Sequence, residues 1–206
     1  MALTIDYFYT HISPWAYLGH KAFQEIAGRH GASIRLRPVN LGGVFEQSGG
    51  LPLGKRHPAR QAYRFIELQR WRDKRDLPLA FKPKFFPTDP GLADRCTIAL
   101  QEVGGPAFDF SNAAFGSVWV HDQDIAGEAV IRALLKQVGA EDQAILDMAE
   151  SSEIASIYAR NQAEAIETGV IGSPCYVLNG EPFWGQDRLD LLDDALASGR
   201  SPYGPL

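Results

Sequence analysis

Cysteine is scarce: Cys96 and Cys175 are the only two in 206 residues, and they lie far apart in sequence. They form neither a CxxC pair nor a metal-ligand cluster, which excludes a self-contained dithiol centre of that spacing and leaves no metal ligand set to name. In a reducing compartment they read as two buried thiols rather than a disulfide. No apolar run approaches the roughly 20 residues a membrane helix needs. The N-terminus, MALTIDYFYTHIS, lacks the basic start and apolar core of a secretory signal, so a cytoplasmic protein is expected. Positive charge is not in excess either. Twenty Lys and Arg stand against 25 Asp and Glu, a formal net charge of −5, which gives no electrostatic footprint for nucleic acid or for an acidic membrane. What is present, 45% hydrophobic and 22% charged residues, suffices for one sizeable core or a core with a large insertion.

Along the chain the hydrophobic period changes in a definite order. LTIDYFY, residues 3–9, alternates as a strand and is rich in β-branched and aromatic residues. Trp15, Leu18, Ala22 and Ile26 then recur at three- and four-residue steps, so 14–29 reads as a helix, capped by Ser13, opened by Pro14 and followed by Gly31. SIRLRPV, 33–39, alternates again. Strand, helix and strand at this spacing predict a right-handed parallel βαβ unit. Near the other end, CYVL (175–178), the turn pair Asn179-Gly180 and EPFW (181–184) predict a hairpin. A last helix is predicted over 187–197, with Leu189, Leu192 and Leu196 on one face.

Residues 55–168 carry helical periods and almost no strand signal. Helices are predicted over 58–74, with Ala62, Tyr63, Ile66 and Trp71 inward, and over 92–103, 128–138, 141–150 and 153–167. No element is assigned over 41–48 or 107–119. The order βαβ, helical insertion, ββα is that of an α/β thioredoxin fold with a large all-helical domain inserted in its middle. The expected division is a discontinuous thioredoxin-like domain of residues 1–54 and 169–206, and an inserted α-helical domain of residues 55–168.

In that fold the first helix begins at the active site, where its N–H groups and dipole favour an anion. Here SPWA stands where a redox Cys-Pro-X-Cys would, so the chain cannot perform dithiol exchange at this place. Ser13 is an ordinary helix cap on one reading and a hydroxyl donor to a borrowed thiolate on the other. Ser173-Pro174 falls directly before the third strand, where thioredoxin folds keep a cis-proline facing the active site. Gln186 and Asp187, at the start of the last helix, form a second candidate anion-binding terminus, with Asp187 available to an ammonium group.

The motifs SPWAYLG (13–19), RPVNLGGVFEQSG (37–49), PARQAYRFIELQRW (58–71), FKPKFFPTDPGLADR (81–95) and GVIGSPCYVLNGEPFWGQDRL (169–189) give the chain, over nearly its whole length, a resemblance to a known family. It resembles the glutathione-dependent 2-hydroxychromene-2-carboxylate isomerases, relatives of the kappa-class glutathione transferases with a DsbA-like thioredoxin fold. The resemblance implies glutathione as cofactor, a small aromatic carboxylate as substrate and a homodimer. It implies that Ser13 hydrogen-bonds the glutathione sulfur, that the backbone of Ser173 before Pro174 pairs with the cysteinyl unit, and that Gln186 and Asp187 take the γ-glutamyl end. It implies Arg60 for the glycine carboxylate. In the isomerases the thiolate adds to the ring-opened substrate, the former double bond rotates, and the thiolate leaves.

Departures from the family bear on the substrate. His11, two residues before Ser13, reads either as an acid, base or carboxylate partner near the sulfur or as a strand-end histidine with a satisfied hydrogen bond. Phe85, Phe86 and Trp119 read as an aromatic substrate wall or as core, within a Pro- and Phe-rich irregular stretch over 78–91 that holds Asp89-Pro90. Cys175 follows Pro174 as either a thiol near the site or a buried strand residue. Lys55, Arg56 and His57 read as a solvated loop or as partners of a substrate carboxylate. No Ser/His/Asp triad is legible. Three functions stay open: the isomerase, a kappa-like transferase or peroxidase, and a non-catalytic thioredoxin-like binding module, with glutathione or another small thiol as ligand.

Overall fold

A computed structural model describes residues 3–205. Strand β1 (Thr4–Tyr9) leads through the 16-residue helix α1 (Pro14–Arg29) to β2 (Ser33–Pro38), which pairs with β1 in parallel, Thr4 opposite Ser33 and Tyr9 opposite Pro38. After seven helices the chain returns as β3 (Cys175–Leu178), antiparallel to β1 with Phe8 opposite Cys175, and β4 (Glu181–Trp184), antiparallel to β3. The strand order is β2-β1-β3-β4. The intervening helices are α2 (Leu41–Ser48), α3 (Pro58–Arg75), α4 (Gly91–Glu102), α5 (Ala107–Trp119), α6 (Glu128–Gln137), α7 (Asp142–Glu150) and α8 (Ser152–Glu167), and α9 (Leu189–Ser198) closes the chain. Among the described residues no helix is long and apolar enough to cross a membrane.

Local chemistry accounts for the element ends. Ser13 is extended and its Oγ accepts from the Ala16 amide at 3.2 Å, with Pro14 in the first turn, the arrangement that satisfies one orphan donor of a helix. Asn179 and Gly180 both take positive φ in the β3–β4 turn, as a tight hairpin with the right twist requires. Because successive strand residues face opposite sides, Ile5, Tyr7 and Tyr9 of β1 enter one apolar cluster while Phe8 enters another with Val39, Val44 and Val177. The first cluster runs from the sheet through α1 into α4, α5, α6 and α7. Gly19 of α1 lies where an added Cβ would come within 2.6 Å of Gln186 Cβ and 2.8 Å of Tyr176 Oη. That absence of a side chain lets the α1 backbone approach Gln186 and so brings both site-forming turns together.

Four expectations are corrected. Helix α2 was not anticipated: Gly42-Gly43 depress helix propensity, yet Asn40 caps the helix through its bond from the Gly42 amide. Helix α5 was also missed, because Phe110, Ser111, Ala114, Phe115, Val118 and Trp119 are all buried and a helix covered on most sides shows no amphipathic stripe. On α3 the inward face is not the predicted one. Ala62, Tyr63 and Ile66 are exposed, Trp71 is partly buried, and Leu68 is the fully buried residue, with Phe65 packed against the core. The last helix starts later than predicted. Gln186–Arg188 form a 3-10 turn, α9 begins at Leu189, and no side chain caps it, that of Asp187 included.

Candidate functional site

The loop from the end of β1 to the start of α1 is fastened to the turn before β3. The Thr10 amide donates to Ser173 Oγ at 3.2 Å, and Ser13 Oγ donates to the Ser173 carbonyl at 3.0 Å. The Ser13 amide turns back to the Thr10 carbonyl at 3.0 Å. The Ser173–Pro174 peptide is cis, and the Pro174 carbonyl accepts from the Gly185 amide at 2.9 Å, so the turn entering Gln186 lies beside the same point. Ser13, Ser173, Gln186 and Asp187 all border one cavity of 790 Å³, together with Trp15, Phe45, Trp71, Phe86 and Trp184. That volume is within the roughly 300–1,000 Å³ range of small-molecule sites, and a few polar groups in an apolar lining are their usual chemistry.

Gln186 is buried at 2% exposure, and its amide oxygen accepts from Arg75 Nε at 3.2 Å and Nη2 at 3.1 Å, with its carbonyl accepting from Nη2 at 3.2 Å. Arg75 also lies 5.3 Å from the Trp71 ring centroid. Sequence reasoning missed Arg75; nothing local in a charged helix end marks one arginine as the one that reaches a residue 111 positions away. Asp187 is directed at Arg188 at 2.7 Å. Gly185 takes φ 105°, a backbone conformation that side-chain-bearing residues rarely adopt, which accounts for glycine there.

Other candidates fall outside the cavity. Arg60 is exposed and does not line it, whereas Arg56 and Arg64 do. Phe85 is 39% exposed and Phe86 alone of that pair forms the wall. Trp119 is core, its Nε1 donating to the His11 carbonyl at 3.0 Å. Cys175 is fully buried, and burial pushes its thiol up to about 12. Cys96 is likewise buried and pushed up to about 12. Neither supplies a thiolate near neutral pH.

His11 is wholly buried and does not border the cavity, so its place near the sulfur is not realised. It stands instead in a row: Asp94 Oδ1 at 2.6 Å from Nδ1, and Ser111 Oγ at 2.9 Å from Nε2. Ser111 Oγ in turn meets Tyr9 Oη at 2.7 Å. A Ser/His/Asp alignment thus exists in space where none was legible in the sequence, but Ser111 is at 0% exposure and its oxygen faces Tyr9, so it cannot meet a substrate. Donation from Tyr9 Oη to Ser111, from Ser111 to His11 Nε2 and from His11 Nδ1 to Asp94 gives every hydroxyl and ring nitrogen of the row a partner. Asp94 Oδ2 accepts further from Thr10 Oγ1 at 3.3 Å and Tyr158 Oη at 3.0 Å. The row underpins the Thr10–Ser13 loop from behind.

Similarity to known proteins agrees with this geometry. The model of the DSBA-like thioredoxin domain matches residues 4–197. A 2-hydroxychromene-2-carboxylate isomerase of Sphingobium xenophagum is 28% identical over 95% of this chain and 99% of its own. A glutathione S-transferase kappa 1 of Caenorhabditis elegans is 25% identical over 93% of this chain and 90% of its own. A solved structure of a 2-hydroxychromene-2-carboxylate isomerase superposes with a TM-score of 0.80 at 25% identity, covering 95% of each chain.

Proposed function

The chain belongs to the DSBA-like thioredoxin domain family, and on that premise we propose that it is a glutathione-dependent cis-trans isomerase, converting 2-hydroxychromene-2-carboxylate to trans-o-hydroxybenzylidenepyruvate or closely similar compounds. The observation that carries the reading is the Ser13 hydroxyl. It stands at the N-terminus of α1, beside the Ser173 carbonyl, on a cavity whose lining contains no cysteine. A thiolate-stabilising terminus without a thiol of its own calls for one brought by a ligand.

The residues fit glutathione. Ser173 offers the backbone next to Pro174 to an extended cysteinyl unit, Gln186 and Asp187 offer an amide and a carboxylate to an amino-acid head group, and Arg56 rather than Arg60 lines the cavity for a glycine carboxylate. When bound, glutathione supplies a thiolate nucleophile that adds reversibly to a conjugated double bond and so permits its rotation. Ser13 holds the anionic form of that sulfur by a charge-assisted hydrogen bond and by the helix terminus it caps. Its single O–H now donates to the Ser173 carbonyl; engagement of that carbonyl by a ligand N–H frees the hydroxyl to turn toward sulfur. Trp15 and Phe86 offer apolar walls to an aromatic substrate.

The relatives named as isomerases favour this reading over a kappa-like transferase, which shares the same contacts. The two differ in the fate of the thiol. With 2-hydroxychromene-2-carboxylate as substrate, the absorbance change to equilibrium is expected only with glutathione present, and the free-thiol titre stays constant throughout. Stoichiometric loss of thiol would transfer the protein to the conjugating class. No rate with or without glutathione would leave the binding-module reading.

Arg75 is a positioning residue in this scheme. Arg75→Ala removes three hydrogen bonds to Gln186 and is expected to weaken glutathione binding about tenfold in calorimetric titration, with kcat at saturating glutathione little changed. A fall in kcat at unchanged affinity would contradict the assignment.

A further inference from the structure

The stretch 55–64 carries Lys55, Arg56, Arg60 and Arg64 with no acidic residue among them. The next carboxylate, Glu67, also borders the cavity but is already paired with Arg70. Two of the four cations, Arg56 and Arg64, line the cavity. Arg56 is tied down: its Nε donates to the Leu51 carbonyl at 2.7 Å and its guanidinium lies 5.9 Å from the Phe45 ring centroid. Arg64 is not. Among the described residues it has no hydrogen-bond or ion-pair partner, only the faces of Phe65 at 5.8 Å and Phe86 at 6.0 Å.

This sets Arg64 apart. Every other partly buried arginine among the described residues donates to a protein oxygen: Arg37, Arg56, Arg72, Arg75, Arg95, Arg132 and Arg200. A guanidinium with five donors, partly buried on the cavity wall and without a protein acceptor, is available to a bound anion. Burial and the nearby Arg56 push Arg64 down to about 10, so it stays cationic at neutral pH. A bound carboxylate offers the acceptor pair that the protein withholds, in the planar fork geometry arginine favours.

We infer that Arg64 is the specificity-determining anchor for the carboxylate of the aromatic substrate, distinct from the groups that hold glutathione. The inference rests on the isomerase reading for the substrate's class. The choice of substrate over the glycine carboxylate follows from the neighbours. Arg56 shares its wall with Phe45 of α2, while Arg64 shares its wall with Phe86, which packs on Trp119 at 5.3 Å. Phe86 and Arg64 together present an apolar plane beside a cation, the complement of a flat conjugated acid.

The test uses two inert probes of one shape, cinnamate and its neutral amide cinnamamide, titrated into the full chain after saturation with glutathione. Quenching of tryptophan fluorescence reports both, since Trp15 and Trp71 border the cavity. The wild type is expected to bind cinnamate at least about tenfold more tightly than cinnamamide. Arg64→Gln brings the two within about twofold, leaving cinnamamide and glutathione affinities unchanged, and Arg64→Lys keeps part of the preference. Equal binding of the probes by the wild type, or an unchanged preference in Arg64→Gln, overturns the inference. So does a selective loss of glutathione affinity in that variant, which would assign the guanidinium to the tripeptide. Failure of glutathione to bind the wild type would count against the isomerase reading instead, and the same probe titration on the protein alone then still decides Arg64.

Discussion

Ser13→Ala is expected to lower kcat/KM for the glutathione-dependent isomerisation about 100-fold, the scale on which removal of one oxyanion donor acts. The bound thiol is expected to lose most of its acidification. A free thiol near pKa 8.5 is only a few per cent thiolate at pH 7, and a downward shift of about two units makes it predominantly anionic. Wild-type activity should therefore persist as pH falls from about 8 to about 7, whereas the variant's activity should decline through that range as its thiolate protonates. The serine also caps α1 through the Ala16 amide, so the substitution costs about 1 kcal/mol of stability as well. Ultraviolet thiolate spectra of glutathione titrated into both proteins separate the two roles. A variant within about threefold of wild-type activity, with the same bound-thiol pKa, would reduce Ser13 to a helix cap. Ser13→Thr, which keeps the hydroxyl, should retain most of the thiolate signal if it folds.

Asp94→Ala has the largest expected effect on stability, about 3–5 kcal/mol, because it leaves several donors of a buried network without an acceptor at about 1–3 kcal/mol each. Three donors converge on the carboxylate, from His11, Thr10 and Tyr158; His11 and Thr10, like Asp94 itself, are at 0% exposure and have no water to turn to, while Tyr158 is partly buried. The loss is comparable with much of the total stability of a domain, about 5–15 kcal/mol. Asp94→Asn gives a milder case, since one amide oxygen still accepts while the NH2 group meets donors. Urea denaturation followed by far-ultraviolet circular dichroism checks both. A loss under about 1 kcal/mol for Asp94→Ala would mean that the row His11, Asp94, Ser111 and Tyr9 is not the support described here. In Asp94→Asn, disturbance of the Thr10–Ser13 loop should also appear as weaker glutathione binding, because the loop carries Ser13 and is held by the Trp119 bond to His11.

The chain order of elements, the helix start at Ser13-Pro14, the hairpin at Asn179-Gly180 and the absence of a redox cysteine pair were all legible in the sequence. Their signals are local: a cap, a proline, a turn pair, and a hydrophobic period of two or near 3.6 are properties of a few adjacent residues. Periodicity also marks which residues share a helix face without telling which face meets the core, which is why α3 was turned the wrong way, with Tyr63 and Ile66 outward. For the densely buried α5 there was no period to detect. Tertiary structure alone decided that His11 leaves the cavity for a partner 83 residues on, that Arg75 holds Gln186 across 111, and that Arg56 and Arg64 line the site while Arg60 does not. A hydrogen bond or an unmet charge is defined by which distant groups packing brings within about 3 Å, and no local pattern of residue types encodes that distance.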